Sequence, residues 1–442
     1  MKKLIFITIM IISAQDLLVA QVTTLTLKES METGFKNSKE LLISNSKIIG
    51  SDARISEASS QLLPQLRLSA GYTRLSEIPP FQIAVPFYPK PIEVSPVFLD
   101  NYSLRVSLQQ PLFTGFRLSS LKNAARYTRD ASAEDMVKDK NELAMNIQTA
   151  YWNYYKVKLM KNLIDENVKQ AGKHVEDTKN LLNNGLATRN DLLKLEVQYS
   201  NAKLQQIDMM NNIELARTAF NKTIGLPLDN RTDIDTAMIQ VTADRYELND
   251  LIAEAKNNRS ELKSLNLRIK AGSENVDAAR SGWFPSILLT GNWYMSNPNP
   301  RLQPPVNIFK GTWDVGITMS WDIWNWGNTI AQTVEAEQNV IQTRTSYDQL
   351  KDVIELEVNQ NYLTLIYAKQ KIDVSQETIQ QAEENYRSIQ DKYNAQLATS
   401  TDLIDAENSL LLAKTNYMNA IIDYQLGKIK LEKSIGKPIY KF

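Results

Sequence analysis

The sequence predicts a mostly helical α+β chain in which one unit is written twice, reading helix, strand, loop, strand, long helix, turn, long helix. Three observations predict it: an internal duplication, two pairs of alternating segments bounded by prolines, and apolar lines at heptad spacing through long glycine-poor stretches. The expected organisation is a leader over 1–20, a first repeat over 21–227, a connector over 228–257 and a second repeat over 258–442.

The duplication is read from the residues themselves. Gly185-Leu186-Ala187-Thr188-Arg189-Asn190-Asp191-Leu192-Leu193 recurs 211 residues later as Gln396-Leu397-Ala398-Thr399-Ser400-Thr401-Asp402-Leu403-Ile404. The same displacement pairs Ile224-Gly225-Leu226-Pro227 with Ile435-Gly436-Lys437-Pro438, and Leu112-Phe113-Thr114 with Ile323-Trp324-Asn325. Upstream the displacement is 221, pairing Asn37 with Asn258, Ala58 with Ala279 and Pro64 with Pro285. The extra ten residues therefore fall between Pro64 and Leu112, in the Pro-rich stretch Ile78 to Val97, whose counterpart is the shorter Asn297 to Val306. An insertion confined to such a segment marks a loop tip.

At the N-terminus, Lys2 and Lys3 precede an apolar run, Leu4 to Ile12, and Val19-Ala20-Gln21 offers a small-residue cleavage site, the order of a secretory signal peptide. The alternative is a buried N-terminal helix. No later stretch has 18 consecutive apolar residues, so entry into a membrane would require β-strands. The first strand pair, about 64–111, places Leu66, Leu68, Ala70 and Tyr72 on one face and returns with Leu104, Val106 and Leu108. The second, about 285–322, leads in with Ile287 and Leu289 and out with Trp313, Val315, Ile317, Met319 and Trp321. Period-two alternation marks half-buried strands. Six of the seven tryptophans lie between Trp283 and Trp326, as in a membrane-interface belt. A soluble antiparallel sheet with one face on a core reads equally from the strands alone.

The long helical hairpins are expected at about 117–224 and 327–435. From Arg117 to Asn183 there is no proline and only one glycine, Gly172; a helix of that extent is about 100 Å long. Ile372, Ile379, Tyr386 and Tyr393 recur every seven residues, as do Leu403, Leu410, Tyr417, Tyr424 and Leu431, with Ala406, Ala413, Ala420 and Gly427 between the latter. Large residues on one line and small ones on the next make a coiled-coil seam, and the strict heptad imposes a left-handed supercoil. Leu195, Ala202, Met209 and Ala216 keep the pattern more loosely in the first repeat.

Composition excludes several functions. Lysine plus arginine equals aspartate plus glutamate at 50 each, without the basic excess of a nucleic-acid binder. There is no cysteine and one histidine, His174, so thiol chemistry and histidine metal clusters are excluded. No Gly-x-Ser-x-Gly elbow or nucleophile–base arrangement is present, so no enzyme and no cofactor are expected.

In their order, Leu63-Pro64-Gln65-Leu66, Gln110-Pro111-Leu112-Phe113-Thr114-Gly115, Gly185-Leu186-Ala187-Thr188, Phe284-Pro285 and Trp324-Asn325-Trp326-Gly327 resemble the TolC family of outer-membrane efflux proteins over nearly the whole mature chain. The resemblance implies a homotrimer in the outer membrane with a periplasmic extension, each chain giving four strands to a shared twelve-stranded barrel and its helices to a tapering tunnel. It implies docking onto a periplasmic adaptor protein and an inner-membrane transporter of the RND, ABC or MFS type, with 228–257 and the C-terminal tail forming an equatorial belt. The physical share of that expectation is that four strands cannot close a barrel and open edges are not tolerated in lipid, so the chain must oligomerise.

The resemblance also carries a gate. Asp402 and Asp405 match the carboxylates that ring the periplasmic constriction, and Tyr393 matches a tyrosine that helps hold it closed. Asp191 is the first-repeat counterpart of Asp402, whereas Lys194 stands at the counterpart of Asp405. Thr188 to Asp191 and Thr399 to Asp402 have capping-box spacing, an equally good local account of both acids. Asp405 has no such account, and Tyr393 lies on the heptad seam. Two other functions remain open at this point, a duct for type I protein secretion and an exported coiled-coil rod.

Overall fold

A computed structural model describes residues 23–236 and 246–441. The leader read over 1–20 lies outside the described residues, as does 237–245 of the connector. In chain order the elements are β1 (Thr23–Leu25), α1 (Leu27–Asn37), α2 (Lys39–Ser60), β2 (Gln65–Arg74), β3 (Phe81–Ile83), β4 (Ile92–Ser95), β5 (Asp100–Thr114), α3 (Arg117–Asn183) and α4 (Arg189–Thr223). They continue as β6 (Thr232–Ile234), α5 (Leu248–Asn258), α6 (Ser260–Arg280), β7 (Ser286–Asn297), β8 (Lys310–Ser320), α7 (Asn328–Asn394) and α8 (Ser400–Ser434). The chain divides into two compact units, Met1–Asn45, Asp135–Leu262 and Gln349–Phe442 in one, Ser46–Glu134 and Lys263–Asp348 in the other.

The second unit holds a four-stranded antiparallel sheet in the order β2-β5-β7-β8. Its register sets Leu66 opposite Leu108, Leu68 opposite Val106, Val106 opposite Trp293, and Trp293 opposite Trp313. Directly paired residues share a face. The register therefore assembles the apolar positions of all four strands into one continuous apolar surface, and the intervening Arg67, Arg105, Asn292 and Asp314 into a polar one.

The sequence places Pro111 at a strand end, but β5 runs on to Thr114. The register shifts between Pro111 and Phe113, so the ladder absorbs the missing donor as a bulge. The shift also moves the apolar face from even to odd positions, which brings Phe113 opposite Ile287. Trp321 falls just beyond β8 rather than within it. The Pro-rich stretch carries a small hairpin, β3–β4, and its Phe81, Ile83, Val85, Phe87 and Tyr88 are exposed.

In the first unit β1 pairs in parallel with β6. Its core gathers Met31, Leu143, Ile147, Tyr151, Tyr154, Phe220, Ile224 and Ile422. Tyr151 donates to the Asp235 carbonyl at 2.9 Å, Tyr154 to the Thr232 carbonyl at 3.2 Å, and Lys158 pairs with Asp233 at 2.6 Å, so α3 holds the connector strand. Gln148 and Asn141 hold the C-terminal tail through the backbone of Ile439. Along α8, Leu403, Ala406, Ala413, Ala420, Tyr424, Gly427 and Leu431 are buried, and a Cβ on Gly427 would lie 3.7 Å from the Leu365 backbone. At Gly427 the missing side chain lets α8 come close to α7.

Both repeats end their helices alike. α4 and α8 finish at Ile224 and Ile435, each followed by a glycine with positive φ, and Leu226 and Lys437 donate back to Asn221 and Glu432 at 2.9 and 3.0 Å. This Schellman closure needs a left-handed residue. Gly436 has a second constraint, because a Cβ there would sit 2.8 Å from the Asn258 carbonyl carbon. Gly327 has the same φ of 79° but open space around it. Gly327→Ala is expected to cost about 1 kcal/mol from backbone strain alone. Gly436→Ala should cost clearly more, and thermal denaturation of the two variants measures the difference.

Candidate functional site

The two helical turns are built on one plan. After α3, Gly185 takes φ 72° and Leu186 donates to the Leu181 carbonyl at 2.9 Å; after α7, Gln396 takes φ 64° and Leu397 donates to Lys392 at 2.7 Å. The second turn thus accepts a left-handed non-glycine residue, which costs about 1–2 kcal/mol. Gln396 also reaches across, its amide donating to the Leu186 carbonyl at 3.5 Å.

Thr188 and Thr399 cap the helices that follow. The Thr188 backbone N–H donates to Asp191 at 3.2 Å, and the Asp191 N–H donates to Thr188 Oγ1 at 3.1 Å. The corresponding distances for Thr399 and Asp402 are 2.8 and 3.2 Å. Hydrogen bonds from the cap threonines hold both carboxyls below the usual carboxylate range. Asp191 also accepts from Ser400 Oγ at 2.9 Å, which ties the first turn to the second.

Asp405 lies one turn beyond Asp402 on α8 and is exposed. Among the described residues its carboxylate has no hydrogen-bond or ion-pair partner, so the carboxylates at the turns divide into two engaged in caps and one free. Lys194 donates to Thr401 Oγ1 at 3.0 Å, a second tie between the turns. Tyr393 meets Thr178 Oγ1 at 2.7 Å and packs beside Tyr386, Leu403 and Ala406.

Sequence reading passed over two features. One is the polar face of the sheet, where Arg105 donates to Asn292 at 2.8 Å, Asn292 to Asp314 at 2.7 Å, and Arg301 pairs with Asp314 at 2.9 Å. Alternation located these positions, but only register shows that they form one chain across three strands. The other is Glu407, buried among helices with one hydrogen bond, from Asn167 at 3.3 Å. On the apolar face of the sheet, Val315 and Ile317 are 66% and 68% exposed. No helix among the described residues is long and apolar enough to cross a membrane.

A sheet with one bare apolar face, one hydrogen-bonded polar face and two unpaired edges, joined to paired coiled-coil hairpins, defines a subunit of a membrane β-barrel channel with a helical extension. The chain belongs to the outer membrane efflux protein family, whose model matches residues 36–226 and 251–437. It is similar to outer membrane protein TolC of Vibrio cholerae, at 20% identity over 386 residues that cover 86% of this chain and 84% of the relative. It is also similar to toxin and drug export protein A of Aggregatibacter actinomycetemcomitans, at 24% identity over 347 residues that cover 75% of this chain and 73% of that one.

Among solved structures, the outer membrane protein VceC of Vibrio cholerae shares the fold with a TM-score of 0.76 at 17% identity, covering 93% of this chain and 96% of the other. The open-state MtrE channel of Neisseria gonorrhoeae does so with 0.74 at 18% identity, covering 93% and 89%. The protein is a non-enzymatic outer-membrane channel of a tripartite efflux or export system, trimeric as its family implies, with a periplasmic helical extension.

The caps make a test of local roles. Thr188→Ala is expected to cost about 0.5–2 kcal/mol, whereas Asp405→Asn should leave the denaturation midpoint within error of the parent. Because the folded carboxyls of Asp191 and Asp402 titrate below their unfolded values, the cap contribution is complete above the ordinary carboxylate range and is lost as pH falls through the depressed value. The gap between the melting curves of parent and Thr188→Ala should therefore narrow in strong acid and be widest at neutral pH.

Proposed function

We propose that three copies of this chain form one duct that receives substrates from a periplasmic adaptor and an inner-membrane transporter of the RND, ABC or MFS type and releases them outside the cell. The observation that carries it is the sheet. Four strands with an apolar face bare to solvent and unpaired edges at β2 and β8 satisfy neither lipid nor backbone alone, and edge-to-edge pairing of copies satisfies both. Exposed apolar lines on the helices support the same reading: Val353, Leu356, Leu363, Tyr367 and Val374 on α7, and Val197, Leu204 and Ile207 on α4. Their spacing is that of coiled-coil seams without a partner.

In this reading 1–20 is the cleaved leader, the hairpins over 64–111 and 285–322 build the barrel, the polar face lines the pore, and 228–257 with the tail forms the equatorial belt. The helical turns form the periplasmic entrance. Asp405, with Asp402 beside it, lines the narrowest part; Asp191 serves there chiefly as a cap and tie, and Tyr393 holds the closed packing. Asp405 is assigned the pore because it is exposed, charged and unengaged next to the turn.

Three measurements test this. Val315→Arg or Ile317→Arg should impair trimer yield in the membrane, at about 2–4 kcal/mol for a lipid-facing site near the midplane, and normal yield from both would reject the barrel assignment. An epitope tag inserted in 78–97 should be detected on intact cells; detection only after permeabilisation would invert the topology. Neutralising Asp402 and Asp405 together to asparagine removes two charges per chain with little change of volume. Single-channel recordings should then show weaker cation preference and weaker block by multivalent cations, and unchanged selectivity would move the constriction elsewhere.

A further inference from the structure

Near the helical turns, α3, α7 and α8 enclose a polar cluster that none of the roles above uses. Glu407 is 3% exposed. Its Oε1 accepts from Asn167 Nδ2 at 3.3 Å, and its Oε2 is buried with no partner. From α3 the cluster also receives Gln170, which donates to the Tyr386 hydroxyl, and His174, whose Nε2 lies 3.3 Å from that hydroxyl.

The charges around Glu407 are directed elsewhere. On α7, Glu383 is 3.8 Å from Lys414 of α8. On α3, Lys173 and Asp177 act on His174, which burial keeps neutral. On α4, Gln198 bonds Asn408 at 3.0 Å, and Lys203 sits over the Tyr199 ring, which itself lies against Gly172. On its own helix Asp405 points to the exposed side. Among the described residues no cation pairs with Glu407.

We propose that Glu407 is a positioning residue for the entrance: it is held as the neutral acid while α8 packs on α3 and α7, and its ionisation loosens α8, so that the entrance opens more readily as pH rises through neutrality. This rests on the reading that the entrance lies at the helical turns. The geometry gives the reason. A carboxylate without counter-charge, with one hydrogen bond and an orphaned oxygen, is costly to bury; a carboxylic acid there costs far less. Burial accordingly pushes the Glu407 carboxyl up to about 7. Assembly cannot restore the missing partner, because Oε2 is already enclosed within one chain.

The sign follows. The packed state binds the proton more tightly than a loosened state in which Glu407 meets water. Packing is therefore undiminished below the ordinary glutamate range and weakens as pH climbs to about 7, after which the penalty is constant. His174 would act in the opposite sense, since its buried form is neutral and acid would favour its release.

The test uses the full-length channel purified in detergent and reconstituted in planar bilayers. Between about pH 5.5 and 8.5 the open-to-closed ratio of the parent should rise roughly tenfold or more. Glu407→Gln, neutral and of equal shape, should remove that rise, while His174→Gln should keep it. A parent ratio that does not change with pH overturns the proposal, as does an unchanged profile in Glu407→Gln or a profile lost in His174→Gln alone. Absence of any conductance would fail the channel reading instead. The proposal is then decided by thermal melts of the same proteins: the parent should lose stability from the lower to the higher pH by more than Glu407→Gln does, and equal losses overturn it.

Discussion

Backbone N–H and C=O groups at the edge of a sheet must find partners, and hydrocarbon supplies none. The outer edges of β2 and β8 carry such groups, and the bare apolar face extends from one edge to the other. These two facts together govern the molecule. The face makes the sheet insoluble as a monomeric surface, the edges make it incomplete within a membrane, and both are resolved when identical sheets join edge to edge. The strong amphipathicity of the strands, with polar residues crosslinked as Arg105–Asn292–Asp314–Arg301, then has a direct explanation in a barrel that is wet inside.

The helices meet a different requirement. A helix of 67 residues is not held by propensity alone and needs continuous lateral support. The heptad lines provide it, with large residues such as Leu403 and Tyr424 and small ones such as Ala413 buried along α8 and Gly427 allowing close approach to α7. At both helical turns the same punctuation recurs, a left-handed residue after one helix and a threonine cap before the next. At the strand-to-helix turns Gly115 and Phe116 share positive φ with Trp326 and Gly327, so the glycine has changed places between repeats while the backbone shape has stayed. The first repeat requires glycine at its position, because a Cβ on Gly115 would lie 2.7 Å from the Ser281 carbonyl oxygen.

The turns combine rigidity with a site of weakness. Ties from Asp191 to Ser400, Lys194 to Thr401 and Gln396 to Leu186 bind one turn to the other. Immediately behind them the packing between α3, α7 and α8 is interrupted by Glu407, His174 and Tyr386, where an apolar seam would hold more firmly. On the proposed reading of the turns as the entrance, a buried acid at this point has a reason, since its protonation changes the strength of the packing without changing the contacts.

Much of the architecture was legible in the sequence because it depends on period and punctuation. The 211-residue displacement located both turns, the proline-free run of Arg117 to Asn183 marked one helix, and alternation marked the apolar positions of all four strands. Capping spacing likewise anticipated the hydrogen bonds of Thr188 and Thr399, which are local. What stayed hidden depends on neighbours distant in sequence. The bulge after Pro111 arises from pairing with β7, the polar chain across the sheet from three-strand register, and the hairpin β3–β4 from pairing within a segment read only as loop. Glu407 looked like one more charge on a helix rich in them. Only the tertiary structure places it facing Asn167, 240 residues away in sequence, with no cation beside it, because desolvation is set by what packs around a group and not by the residues that flank it in the chain.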